Sequence, residues 1–284
     1  MLMALKDYFP DMQEGAFPLA DQDWISVEVG EQYLHFPKSS LSEREQLLLG
    51  LGRQRKEPSK DQKSPWYHYL ILGQGEQPEE FQGCQFIYIN HQCPLAGDLI
   101  ELLKGIIEGV EAVLPISQTR TAFLVCHHSR SDLFQLLANL LPTIESDFGL
   151  ALMIFIGNGW YQVSGNALRD YFKEENAVFT AYLAEHSASR LLTFSEVMLW
   201  SLLANSGLPA LSKHFSQLLL ANKEVMDLVL AMWQEHGNLV QTAQRLYIHR
   251  NSLQYKLDKF AQQSGLYLKQ LDDLAFAYLF ILKH

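Results

Sequence analysis

The spacing of apolar residues predicts both strands and a helix in the first sixty residues. Residues 24–30 and 32–37 are short β-rich runs that meet at a Gly-Glu pair, a pattern typical of a hairpin. Ser42 then begins a helix, and Glu45 three residues later completes a capping box. Residues 53–65 are polar and charged apart from two prolines, which indicates an exposed loop rather than a binding patch. This part of the chain predicts a small α+β unit.

Strand-like and helix-like patterns alternate from Trp66 to about Gly207. Helical spacing extends over residues 97–113, where the apolar residues form one stripe, and over residues 131–147. After Gly165 the pattern is helical to the end of the sequence. The β-rich runs of strand length are residues 66–72, 84–89, 121–126 and 150–157. This alternation predicts a mixed α/β or α+β body with covered sheets.

Three helices are predicted close together near the C-terminus. Residues 222–236 form an amphipathic helix that ends at Gly237, and Asn238 can cap a short second helix with Gln241 at the capping-box position. After a tight connection, residues 249–264 form a longer helix whose apolar positions are Leu253, Leu257 and Phe260. A short helix, a tight turn and a longer helix are the order of a helix-turn-helix, in which the second helix of the pair enters the major groove of DNA.

The outer face of that third helix has the chemistry of a DNA reader. With Leu253 at the core, Asn251 and Tyr255 point outward, and Gln254 and Asp258 lie on one flank. Asn and Gln can pair with adenine, and an Arg at the helix N-terminus can reach guanine or a phosphate. Arg250 is the arginine at that N-terminus. The predicted phosphate or sugar contacts are Ser252, Tyr255, Lys256 and Lys259. A helical bundle with a polar surface explains the same composition equally well.

The residues of this segment resemble a known family. Asn238, Thr242-Ala243, residues 248–253 and residues 255–257, followed by Gly265-Leu266, are similar to the C-terminal DNA-binding domain of PucR-type regulators, including CdaR-like regulators. This chain has Ser252, Gln254 and Lys256 where the family usually has Thr, Arg and Arg, which predicts altered phosphate affinity or base preference. The DNA-binding residues that the resemblance and the helical face together predict are Asn238, Thr242, His249, Arg250, Asn251, Ser252, Gln254, Tyr255, Lys256 and Lys259.

The charge of the chain differs between its C-terminal tail and the rest, which suggests different functions for the two parts. The net charge of −10 is unfavourable for a nucleic-acid binder, but it is unevenly distributed. From Lys213 onward eight basic residues face six acidic ones, so this tail is about +2 and the rest of the chain about −12. Three cysteines favour a reducing compartment over a disulfide framework. The longest apolar run and the N-terminus predict neither a membrane span nor a signal peptide, so we expect a soluble cytoplasmic protein.

Other constellations do not predict a catalytic, cofactor or metal site. Zinc-ligand residue types occur at Cys84, His91 and Cys93 and at residues 126–128, but their spacing is too wide or scattered for structural zinc. His127, His128, Ser129 and Asp132 lack a nucleophile motif and are interpreted as loop residues. Gly157-Asn158-Gly159 predicts a hairpin or strand-to-loop turn, since the remaining residues of a phosphate-binding loop are missing. The aromatic residues that suit either core packing or a ligand pocket are Trp66, Tyr67, Tyr69, Phe86 and Tyr88.

The predicted fold class is α+β, with a mixed α/β N-terminal and middle body followed by an all-α C-terminal helix-turn-helix domain. We expect a sensory domain over residues 1–120, and the resemblance implies a degenerate cyclase-like, dimerising region over residues 121–210. The helix-turn-helix domain takes residues 211–284. The predicted function is a non-enzymatic, homodimeric transcription regulator that binds double-stranded DNA and responds to a small-molecule effector. The alternative is an oligomeric scaffold or interaction protein that has lost DNA binding.

Overall fold

The described strands form two sheets. The computed structural model describes residues 2–19, 21, 23–30, 32–52, 61–126, 133–186 and 190–284. The small sheet has the order β1-β3-β2 and is antiparallel, with β1 (Gln13–Gly15), β2 (Trp24–Val29) and β3 (Gln32–Pro37). The large sheet has the order β5-β6-β4-β7-β8, with β4 (Gly83–His91), β5 (Val110–Pro115), β6 (Arg120–Cys126), β7 (Leu152–Tyr161) and β8 (Leu191–Thr193). Its pairings are antiparallel except for β7 with β8.

Helices precede, cover and follow these sheets. A π-helical turn (Ser216–Leu220) links α8 to α9, and 3₁₀ turns occur at Lys38–Ser40 and Asp61–Lys63. The α-helices are α1 (Leu2–Tyr8), α2 (Glu43–Gly52), α3 (Pro65–Leu70), α4 (Gly97–Ile106), α5 (Leu133–Phe148), α6 (Asn166–Glu185), α7 (Phe194–Ala204), α8 (Pro209–Phe215), α9 (Lys223–Gln234), α10 (Leu239–Arg245), α11 (Arg250–Ser264) and α12 (Leu271–Lys283). This combination confirms the predicted α+β class with a helical C-terminal region. Among the described residues, none of the helices is both long and apolar enough to cross a membrane.

Local signals located several elements correctly. Strands β2 and β3 pair as the predicted hairpin, in register from Trp24 opposite Pro37 to Val29 opposite Gln32. The Ser42 backbone N–H donates to the Glu45 carboxylate at 2.8 Å, and the Glu45 backbone N–H donates to the Ser42 hydroxyl at 3.4 Å, as in a capping box. Of the loop predicted at residues 53–65, residues 53–60 lie outside the described residues.

Other elements differ from the sequence-based predictions. The β-rich run at residues 66–72 is mostly helical: α3 begins after Ser64, whose hydroxyl accepts from the Tyr67 backbone N–H, and Pro65 occupies its first turn. The helix predicted to residue 113 ends at Ile106, and the chain continues as β5. Strand β8 interrupts the region predicted to be all helical, because it pairs with β7. Pairing of β5 with the following strand β6, and of β8 with the distant strand β7, determines the last two outcomes.

Each face of the large sheet is covered by its own hydrophobic core. On one face, alternate strand residues such as Ile87 and Ile154 pack against α4 and α5. On the other face, Phe86, Tyr88 and Phe155 pack against α6, and this core continues without a break into the C-terminal helices. The boundary predicted at residue 120 falls between β5 and β6 of this sheet, and the three-part division of the chain stays a prediction.

Candidate nucleic-acid interface

The helix-turn-helix is built from α9, α10 and α11. The side chain of Asn222 caps α9 by accepting from the backbone N–H groups of Glu224 and Val225. His236 and Gly237 then take left-handed backbone conformations, with φ of 52° and 75°, which turn the chain sharply into α10. The end of α9 is therefore where the sequence predicted it.

The polar residues of α10 stabilise the helix itself. Asn238 Oδ1 accepts from the Val240 and Gln241 backbone N–H groups at 3.0 and 3.2 Å. The Thr242 hydroxyl donates to the Asn238 carbonyl at 2.8 Å, and Thr242 is fully buried beside Ala243. Thr242 therefore has no exposed side-chain surface to offer DNA, and the predicted direct contact at this residue stays a prediction. Asn238 is exposed and caps the helix.

A tight turn presents the N-terminus of α11. Tyr247 has a φ of 54° and its side chain is almost wholly exposed, while the Ile248 backbone N–H donates to the Ala243 carbonyl at 3.0 Å. His249 then caps α11, because its Nδ1 accepts from the Asn251 backbone N–H at 3.2 Å. The predicted DNA-binding residue His249 is thus a helix cap at the exposed tip of the domain.

The two faces of α11 are separated as predicted. Leu253, Leu257 and Phe260 are buried, which confirms the predicted core face. The predicted contacts on the opposite, exposed side are Asn251, Ser252, Tyr255 and Lys259, and Arg250 is exposed in the first turn of the helix. This arrangement brings five of the ten predicted contacts together on one accessible surface, which we call the α11 face.

Gln254 and Lys256 are half-buried and bonded within the chain. Gln254 donates from Nε2 to Asp258 Oδ1 at 2.8 Å and accepts from Lys269 Nζ at 2.7 Å. Lys256 forms an ion pair with Glu224 of α9, and this bond lowers the pKa of the Glu224 carboxyl. Both side chains would have to exchange these partners in order to contact DNA.

A bulge in β7 anchors the C-terminal end of α11, which sequence reasoning missed. The register between β4 and β7 shifts between Gln85 and Ile87, so Gly157-Asn158-Gly159 is a bulge inside β7 and not the predicted turn. Asn158 Nδ2 donates to the carbonyl of Ser264, the last residue of α11, at 2.8 Å. Two glycines around one polar residue in an apolar strand were the available signal.

A buried carboxyl group lies beneath this bulge. Glu175 Oε1 accepts from the Asn158 backbone N–H at 2.8 Å and from Trp160 Nε1 at 3.1 Å, and Tyr88 lies 3.1 Å from Oε2. Glu175 is fully buried, and burial raises the pKa of its carboxyl to about 8. A chain of contacts therefore runs from the core through Asn158 to the end of α11.

The remaining candidate residues do not form a second site within the described residues. Trp66, Tyr67, Tyr69, Phe86 and Tyr88 are all buried in the core that covers one face of the large sheet, so packing accounts for them. Among the described residues, no group of three or more His, Cys, Asp or Glu is placed to hold a metal ion. The candidates at residues 127–132 lie outside the described residues.

These features define the class of the protein. Residues 226–281 match the PucR C-terminal helix-turn-helix domain, which confirms the resemblance and supports a role in transcription regulation. The protein belongs to the family of the "Leucine-rich protein" of Streptococcus dysgalactiae subsp. equisimilis, to which it is 58% identical over 282 residues, or 99% of this chain and 100% of that protein.

Two more distant similarities were found. The "Uncharacterized protein YxkF" of Bacillus subtilis (strain 168) is 24% identical over 280 residues, covering 90% of this chain and 89% of that protein. The crystal structure of a regulator of polyketide synthase expression from Bifidobacterium adolescentis has 18% sequence identity and a TM-score of 0.36, covering 75% of this chain and 82% of that one.

Proposed function

We propose that the protein is a transcription regulator that binds operator DNA by inserting α11 into the major groove. The observation that carries this proposal is the α11 face, a continuous exposed polar surface on the second helix of a helix-turn-helix. In this geometry the N-terminal residues of the recognition helix reach base edges, and the preceding helix crosses the backbone. The PucR-type match over residues 226–281 supports the same role.

The residues of the α11 face take different roles in this proposal. Arg250 and Asn251 lie in the first turn of α11 and read bases, since a guanidinium can pair with guanine and an amide with adenine. Ser252, Tyr255 and Lys259 donate to phosphates and so set the register of the domain. Asn238 and His249 contribute by holding the N-termini of α10 and α11 in position.

The active form in this proposal is a cytoplasmic homodimer that responds to a small molecule. A single helix-turn-helix unit contacts only a few base pairs, so useful affinity requires two units on paired half-sites. The sheet-containing body, with a charge of about −12, supplies the dimer contact and the effector site, and it repels DNA everywhere except at the tail. Residues 1–120, 121–210 and 211–284 remain the proposed sensory, middle and DNA-binding parts.

A scaffold that has lost DNA binding is the second candidate. One observation favours it: Gln254 and Lys256, which stand where the family usually has arginines, are bonded to Asp258, Lys269 and Glu224 within the chain. If DNA binding has been lost, these side chains are not needed for phosphate contacts and can stay bonded within the chain.

Binding to DNA from the protein's own genomic neighbourhood tests the proposal. We expect specific binding that weakens steeply as salt rises, because phosphate contacts release counterions. Arg250→Ala should weaken specific binding by about 1–3 kcal/mol, roughly ten-fold to a hundred-fold, and weaken binding to random DNA much less. Arg190→Ala is the matched control, because Arg190 is exposed in the body and pairs with Glu145. A folded dimer that binds no DNA at low salt would favour the scaffold.

A further inference from the structure

A groove with a volume of about 1130 Å³ separates the large sheet from one side of α11. Gln82 and Tyr161 belong to the wall at β4 and β7, and Tyr255 and Gln262 belong to the wall at α11. This volume is slightly above the range of small-molecule sites, which is about 300–1,000 Å³.

The groove is fixed by the packing of the fold. The bond from Asn158 to the Ser264 carbonyl joins its two walls, and Gly265 lies so close to the bulge that an added Cβ would be 2.4 Å from the Gly159 carbonyl oxygen. Gly265 also has a φ of 78°, which favours glycine. The distance between the sheet and α11 is therefore set at one end by close backbone contact.

The lining combines amide groups with aromatic rings. The side chains of Gln82, Gln262 and Gln263 line the groove, are exposed, and have no hydrogen-bond partner within the part of the chain that the structure describes. An amide side chain both donates and accepts, so these groups suit hydroxyl groups. Phe134 and Tyr255 also line the groove and are 39% and 68% exposed, so their rings offer apolar faces to a ligand.

The charges of the lining disfavour an anion. Asp258, Lys259 and Asp273 give a formal charge of −1. Asp273 already accepts from the Ser195 hydroxyl and from the Tyr267 backbone N–H, both at 2.6 Å. A phosphate or dicarboxylate site needs several cationic or backbone N–H donors, and this lining instead presents mainly neutral groups.

We propose that the groove binds an uncharged cyclic molecule that carries several hydroxyl groups, the chemistry shared by neutral monosaccharides and nucleosides. One face of the ring stacks on Phe134 or Tyr255, and its hydroxyl groups bond to the glutamine amides. The site itself is independent of the proposed function, and its regulatory consequence rests on that function.

Occupancy of the groove weakens the binding of DNA in this proposal. Tyr255 and Lys259 belong both to the lining and to the α11 face. A ligand that engages these side chains withdraws two phosphate donors from DNA. We expect a saturating ligand to weaken operator binding by about ten-fold, which is within the usual range of coupling between two sites.

The experiment titrates the full chain by calorimetry with neutral monosaccharides and neutral nucleosides, tested separately, and with the phosphorylated form of each. Gln262→Trp replaces one of the proposed amide partners and narrows the groove from the α11 wall, and Gln234→Trp is the matched control at an exposed position of α9 outside the groove. We expect at least one neutral compound to bind the wild type and Gln234→Trp. Gln262→Trp should bind it at least about ten-fold more weakly and keep its own DNA affinity.

The outcomes separate the site from the proposed function. Failure of every neutral compound to bind, or tighter binding of the phosphorylated forms, overturns the proposed ligand class. Equal binding by Gln262→Trp and the wild type overturns the location. Ligand binding without any DNA binding supports the site and contradicts the regulator. Ligand binding that leaves operator affinity unchanged overturns the predicted coupling between the groove and DNA.

Discussion

Gly157 is the residue on which the contact between the sheet and α11 depends most directly. A Cβ at this position would lie 2.4 Å from Glu175 Oε2 and 2.9 Å from the Phe86 carbonyl oxygen. Neither group can move easily, because Glu175 is fully buried and Phe86 is part of β4. The bulge therefore needs glycine for close packing, and Asn158 beside it reaches the end of α11.

Gly157→Ala should lower the free energy of unfolding by about 2 kcal/mol, as overpacking of a buried site does. Gly105→Ala is the matched control, because nothing lies within 4 Å of an added Cβ there and Gly105 is in α4. This control should stabilise the protein by about 0.5–1 kcal/mol. Urea unfolding of both variants measures the difference, and equal effects would contradict the close contact at the bulge.

Glu175 makes stability depend on pH. Its pKa of about 8, raised by burial from the ordinary 4.5, means that the folded protein holds a proton that the unfolded chain releases above about pH 4.5. The stabilising contribution of this group is therefore largest at low pH and declines as pH rises towards about 8. Glu175→Gln cannot ionise, so we expect a flatter dependence of unfolding free energy on pH across this window.

Denaturant unfolding at several pH values between about 5 and 8 checks this prediction. Glu101→Gln serves as the control, since Glu101 is exposed on α4 and pairs with Lys104. The control should keep the slope of the wild type. A wild-type slope in Glu175→Gln would show that another group carries the pH dependence.

At the scale of elements, the sequence predicted helix bounds correctly where the signal acts over only a few residues. The stop at Gly237 and the cap at Asn238 predicted where α9 ends and α10 begins, because each acts on backbone groups within a few residues. The strand predicted at residues 66–72 was wrong. The prediction followed the β-prone composition of this run, whereas in the structure Ser64 and Pro65 begin a helix. Strand β5 pairs with the next strand, β6, and β8 pairs with β7, which is distant in sequence, so neither strand is set by its own composition alone.

The cap of α10 gives an element-scale prediction. Asn238→Ala removes the acceptor for two backbone N–H groups and should lower the free energy of unfolding by about 1 kcal/mol. Asn238→Asp keeps the acceptor and should retain most of that stability. Thermal unfolding compares the two variants, and an equal loss in both would assign another role to this side chain.

The whole molecule is held together by one core that runs from the large sheet into the C-terminal helices. Phe276 of α12 packs edge-on against Phe194 of α7 and against Phe215 of α8, with ring centroids 6.0 and 5.1 Å apart. Phe194 in turn packs against Trp160 of β7. These aromatic contacts join the sheet to α12, and Tyr278 of α12 stacks on Trp233 of α9 in the helix-turn-helix, so we expect the full chain to unfold as one cooperative unit.

Phe276→Ala should therefore destabilise the whole chain by about 3–5 kcal/mol and not the tail alone. Leu282→Ala, on the same helix but 60% exposed, is the matched control and should have little effect. Tryptophan fluorescence and far-UV circular dichroism should report the same unfolding midpoint. Two separated transitions would instead show that the helix-turn-helix unfolds independently of the sheet.

The sequence by itself determined the helix-turn-helix, since its caps, turn and apolar spacing act over a few residues. The same local rules predicted which side of α11 is buried and that Asn251 and Tyr255 point outward. The tertiary structure alone decided that Thr242 is buried, that Gln254 and Lys256 are bonded within the chain, and that α11 forms a groove with the large sheet. These outcomes depend on which distant surfaces meet, and that is fixed by the packing of the whole core and not by local spacing.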